Sequence, residues 1–168
     1  MSERILAAVD ALRERHGTSD PFELIDALGI HFGYTSAPRL KGYYVVQNRE
    51  RFIRVNAKLR QREQRIVAAH ELGHDQQHRE IARVHPLRDA TLYNTTSRYE
   101  HQANIFAAEL LISDQDIQDS MEEDLDYLSL CRNLYVEPDL MAFKLFSMLQ
   151  RGHRINMPQG LNSSFLRG

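Results

Sequence analysis

The sequence predicts an α+β fold: a small antiparallel sheet of about three strands packed with several helices. Three observations carry this reading. Apolar residues recur at helical spacing before residue 29 and after residue 59, while from Ile30 to Asn56 that period gives way to β-branched and aromatic runs. The chain has 168 residues, 42% of them hydrophobic and 26% charged, which suits one core and not two. It holds one cysteine, Cys131, so intrachain disulfides and cysteine-based metal ribbons are excluded. Its eight histidines are about twice the ordinary share, and only their spacing decides what that means.

The elements follow in order. Ile5, Leu6, Val9 and Leu12 make residues 2–16 an amphipathic helix stopped at His16-Gly17. Asp20 caps a short helix, with Pro21 at its first position and Glu23 placed for a capping box, ending at Gly29. Strands are expected at 30–35, 42–47 and 51–56, with a hairpin turn at Asn48-Arg49-Glu50. The third strand alternates polar and apolar residues, so one face should be buried. Helices follow over about 59–80 and 98–112, then shorter segments over 114–133 and 138–151. Between the first two of these lies a loop from His85-Pro86 to Ser97. Residues 1–153 read as a single domain and 154–168 as a mobile tail.

Several function classes drop out early. No run approaches the roughly 20 apolar residues of a membrane span, and the N-terminus lacks the pattern of a signal peptide, so a cytoplasmic location is expected. A net charge of −2 gives no basic footprint for nucleic acid. Residues 123–149 do not rescue a DNA-binding reading, because Leu128, Leu130, Leu134, Phe143 and Phe146 make the segment mainly apolar.

The chemistry concentrates in His70-Glu71-Leu72-Gly73-His74, an H-E-x-x-H pattern inside the 59–80 helix. At about 100° per residue, His70 and His74 sit about 40° apart and one turn along the axis, so both rings can reach one ion. Glu71 projects about 100° from His70, placed to reach a water on that ion and not to ligate it. Gly73 leaves the flank open for another segment to approach. A catalytic zinc takes three protein ligands, and the best third candidate is Glu100, which a helical wheel sets among Ala103, Ala107, Ala108 and Leu111. A bare carboxylate on that apolar face would cost several kcal/mol unless bound to metal. His85 and His101 remain open as alternative ligands.

Two further residues near the motif are read differently. Glu109 falls on the opposite face beside Arg98 and Gln102 and is expected to be solvated or salt-bridged. His78, another rise of about 6 Å along the stripe, is expected behind the ligands or at the surface. With His70, His74 and Glu100 the site would carry a charge of about +1, enough to bring a bound water's pKa towards about 7. Glu71 would take its proton and pass it to a leaving amine. Tyr93, Tyr99 and His153 are the candidates for a second electrophile.

At these residues the chain resembles the ImmA/IrrE family of metallo-endopeptidases. The matching stretches are Ala27-Leu28-Gly29-Ile30, Gly42-Tyr43-Tyr44, Ile53-Arg54-Val55-Asn56, Arg65 to His74 and Glu100 to Leu111, together spanning roughly residues 20–150. The resemblance implies a minimal zincin-like domain with one catalytic zinc, His70, His74 and Glu100 as ligands, and Glu71 as base. It also implies a supporting role for Asn104, one turn past the third ligand. The family's Leu-Met-Pro is Leu111-Ile112-Ser113 here, outside the ligand set. Family members typically cleave a transcriptional repressor. No room remains ahead of the core for a helix-turn-helix domain, so the repressor is expected to be a separate protein. The competing class is a non-catalytic, zinc-stabilised regulator that binds a protein without cutting it. Glu71 speaks for the enzyme, since a structural site needs no base there.

Overall fold

Two helices open the chain in the computed structural model, which describes residues 1–84, 87–89, 97–122 and 126–155. Helix α1 (Ser2–His16) buries Ile5, Val9 and Leu12 and ends where Gly17 takes the left-handed φ of 69°. Helix α2 (Pro21–Ala27) starts as expected, the Asp20 carboxylate accepting from the N–H groups of Phe22 and Glu23. The capping box does not close through Glu23. Thr18 replaces it, its hydroxyl accepting from the Asp20 N–H at 3.0 Å and donating to the Glu23 carboxylate.

The sheet contains β1 (His31–Thr35), β2 (Gly42–Gln47), β3 (Glu50–Asn56) and β4 (Leu87–Asp89) in the order β1-β3-β2-β4. Strands β2 and β3 form the expected antiparallel hairpin, with Asn48 and Arg49 at φ 53° and 68° in the turn. The sheet is mixed, however, because β1 pairs with β3 in parallel. The cause is burial. Ile53 and Val55 are fully buried, so β3 takes a central position and the 36–41 connection must carry the chain past it before β2. Asn56 fastens that connection, its side-chain amide donating to the carbonyls of Ala37 and Leu40 at 3.0 and 2.7 Å. The three residues of β4 fall within the stretch read as loop, too short to show any alternation.

Helix α3 (Gln61–Ala82) packs across β2 and β3, and α4 (Arg98–Leu111) lies against it. Helices α5 (Asp114–Glu122), α6 (Tyr127–Asn133) and α7 (Pro138–Gln150) complete the chain, with α1 and α7 both against α4. One apolar cluster joins these layers. No helix among the described residues is long and apolar enough to cross a membrane.

Helix α4 is the centre of the molecule: every residue from His101 to Leu110 is buried. Glu109 is therefore not solvated. It is 0% exposed and pairs with Lys144 at 2.6 Å and Arg151 at 3.1 Å, both cations also reaching Asp114. Arg13 closes the end of the helix by donating to the carbonyls of Glu109 and Leu110. A helical wheel separates the two faces of α4 but cannot say that α1 and α7 cover the second one. Burial would raise the Asp114 carboxyl, but hydrogen bonds from Arg151 and Lys144 outweigh it and hold the group well below the usual carboxylate range.

Helices α3 and α4 touch through small residues. A Cβ on Gly73 would lie 3.1 Å from Phe106 Cβ and 3.2 Å from Ala103 Cα. Gly73→Ala removes a helix-interior glycine, worth about 1 kcal/mol in propensity, yet here it should destabilise by about 1–3 kcal/mol because the neighbour is backbone. Urea unfolding measures the sign. Lys144→Met should cost about 3–5 kcal/mol by leaving Glu109 short of a cation, and Glu109→Leu added to it should restore most of the loss. Equal stability of the single variant and wild type would contradict this account of the cluster.

Candidate metal centre

The site begins with helix geometry. His70 and His74 stand one turn apart on the face of α3 that meets α4, buried, with ring centroids 4.8 Å apart. Opposite them, Ser97 caps α4, its hydroxyl accepting from the Glu100 N–H at 3.2 Å and fixing the turn from which the Glu100 side chain leaves. The Glu100 carboxylate lies 3.2 Å from His70 Nε2 and 3.5 Å from His74 Nε2. One ligand atom from each residue falls within 4.8 Å of the others. Two imidazole nitrogens and a carboxylate oxygen make a donor set that would suit a divalent metal ion. Glu100 retains 14% side-chain exposure, so it sits at the mouth of the site and not at the centre of an apolar face.

Behind the first layer is a second. His70 Nδ1 lies 2.9 Å from Asn104 Oδ1, and His74 Nδ1 lies 3.0 Å from His78 Nδ1. His78 is buried, and its Nε2 lies 2.9 Å from Gln102 Oε1. Helix α3 kinks at His78, where φ is −131° and ψ 20°, and the ring makes its contact back along the helix with His74. Burial pushes the His78 pKa down to about 4, which keeps the ring neutral. Gln102, grouped in sequence with Arg98 and Glu109 on a polar face, thus turns out to border α3.

Helical geometry explains this arrangement. Residues 102, 103 and 104 fan out by about 100° each. Ala103 meets Gly73, while Gln102 and Asn104 reach past that contact to His78 and His70.

Glu71 is fully buried and faces the sheet. A Cβ on Gly42 would lie 2.6 Å from Glu71 Oε1 and 2.5 Å from Val67 Cγ1, so the first residue of β2 has to be glycine for this carboxylate to fit. Two residues along the same strand, the Tyr44 hydroxyl donates to Asp75 at 2.7 Å. Asp75 also takes Arg51 at 3.1 Å and Arg79 at 3.0 Å, so this buried carboxylate locks α3 onto β2 and β3. Only the i, i+4 pair of Asp75 and Arg79 was visible in the sequence as a signal.

Among the described residues, the alternative ligand His101 does not join the cluster. His101 turns towards Phe143 and Phe146, with ring centroids at 5.5 and 5.3 Å, and burial lowers its pKa. His85 and Tyr93 lie outside the described residues, as does the tail beyond 155. Of the other candidate electrophiles, Tyr99 packs its ring 5.1 Å from His78, at the edge of the site. His153 lies 3.6 Å from Asp114 and belongs to the ion cluster of α7.

Comparison with known proteins gives the same outline. A peptidase family model described as the IrrE N-terminal-like domain matches residues 25–146. The chain is also 36% identical over 111 residues to a Bacillus phage phi105 protein named uncharacterized immunity region protein 2, over 66% of this chain and 69% of that one. The family match runs from α2 into α7 and takes in both site helices and the sheet beside them. The chain belongs to the ImmA/IrrE family of metallopeptidases.

Proposed function

We propose that this chain is a zinc-dependent endopeptidase that hydrolyses a peptide bond in one protein partner, a separately encoded DNA-binding repressor. Residues 1–153 act as one peptidase unit, and a repressor substrate puts its work in the cytoplasm. The observation that carries this reading is the convergence of His70, His74 and Glu100 on one point, with Glu71 on the same buried turn. Membership of a peptidase family supports hydrolysis, and a relative named for an immunity region supports a regulatory target.

In this reading His70, His74 and Glu100 hold the metal, and Glu71 does the proton work. Zinc held there supplies a Lewis acid that eases deprotonation of water and polarises the scissile carbonyl. Glu71 takes the proton of the attacking water and delivers it to the leaving amine. Its burial strengthens these charge interactions, since little water screens them. Gly42 gives its carboxylate room at the edge of β2. Asn104 holds the His70 ring in place.

Two measurements test the reading. Glu71→Gln should keep its zinc and lose cleavage of the co-encoded repressor by about 10²–10⁴-fold, followed by gel and mass spectrometry. Equal cleavage by variant and wild type would sink the mechanism, and wild-type binding without cleavage would favour the non-catalytic regulator. Glu100→Ala should lose stoichiometric zinc by elemental analysis; full retention would remove Glu100 from the ligand set.

A further inference from the structure

We infer that His78 and Gln102 form a hydrogen-bond relay that fixes the tautomer of His74, holding its proton on Nδ1 so that Nε2 presents a lone pair to the metal. The inference rests on the ligand set proposed above and adds two positioning residues to it.

The contacts run from His74 Nδ1 to His78 Nδ1 at 3.0 Å and from His78 Nε2 to Gln102 Oε1 at 2.9 Å. A carbonyl oxygen only accepts, so Gln102 requires the His78 proton on Nε2. Two nitrogens 3.0 Å apart need one donor and one acceptor, so with Nε2 of His78 donating to Gln102 its Nδ1 is the acceptor and His74 Nδ1 the donor. That leaves the lone pair of His74 on Nε2, the atom 3.5 Å from Glu100. The reverse order would place a proton on the nitrogen that must bind metal. His70 reaches the same state in one step, by donating from Nδ1 to Asn104 Oδ1 at 2.9 Å. His74 sits one turn further along α3, and its link to α4 runs through a second imidazole. The kink at His78 falls at the residue that supplies it. Both links end on side-chain amides of α4, so the same helix that carries Glu100 also orients the two histidines.

The relay ends in neutral acceptors, where histidine ligands often donate to a carboxylate. Neither Asn104 nor Gln102 adds negative charge behind the site. The positive charge of the loaded centre is therefore offset by Glu100 and not by its supports.

The test uses the full chain loaded with zinc. Zinc affinity is measured by competition with a chromogenic chelator, and imidazole ¹⁵N shifts by long-range NMR. Gln102→Met and His78→Leu should each weaken zinc binding by about 10- to 100-fold. His78→Asn, whose Oδ1 can accept in place of Nδ1, should stay within a few-fold of wild type. In the wild type, His78 should show a protonated Nε2 and an unprotonated Nδ1. A protonated His78 Nδ1, or wild-type affinity in both Gln102→Met and His78→Leu, would overturn the relay. Should His78→Leu not fold, Gln102→Met and the wild-type spectrum decide. Weak zinc binding in Glu100→Ala alongside unchanged affinity in the relay variants would leave the ligand set standing and remove the relay. Unchanged binding in Glu100→Ala would instead count against the ligand set itself.

Discussion

The close approach of α3 and α4 at Gly73 and Ala103 is the constraint on which the rest of the site depends. With backbone nearly against a bare Cα there, α4 lies near enough for Glu100 to reach both histidines and for Gln102 and Asn104 to straddle the contact. A larger side chain at position 73 would act on all of these at once. Packing without a gap makes that spacing a fixed quantity, because interiors accommodate added volume only by shifting backbone.

The same helix buries polar groups in two different ways. Towards its N-terminal half it carries a hydrogen-bonded set of imidazoles and amides around Glu100. At its C-terminal end, Glu109 is held by Lys144 and Arg151, with Asp114 completing the charge balance. The ionic end ties α1, α5 and α7 to α4, while the imidazole end faces α3. Full pairing at the ionic end matters because an isolated buried charge is costly. A site that takes up a cation has a different need, since its donors must keep lone pairs directed at one point.

Much of the fold was legible because its signals are local. Helical periods, the Asp20 cap, the Gly17 stop and the Asn48-Arg49 turn each act within a few residues, and those elements stand where the pattern puts them. The parallel pairing of β1 with β3 was not legible, since it follows from which strand wins the centre of the sheet. Nor was β4, three residues long and defined only by the edge of β2. Glu109 is salt-bridged, one of the two states expected of it, but its full burial was not legible, for a related reason. Amphipathicity reports the contrast between two faces of a helix, and α4 has polar residues on a face that never meets water.

For the site, the sequence by itself determined that two imidazoles share a helix stripe with a carboxylate beside them, because a spacing of four residues is a geometric statement on any α-helix. It also marked Glu100 as a carboxylate in need of a partner. Only the tertiary structure decided which residues surround them. The placing of Glu100 beside the two histidines while His101 turns away, the turn of His78 back towards His74, and the pairing of Gln102 and Gly42 with the motif all arise where α4 and β2 meet α3. Those contacts join residues far apart in the chain, and no local pattern encodes how closely two elements will pack.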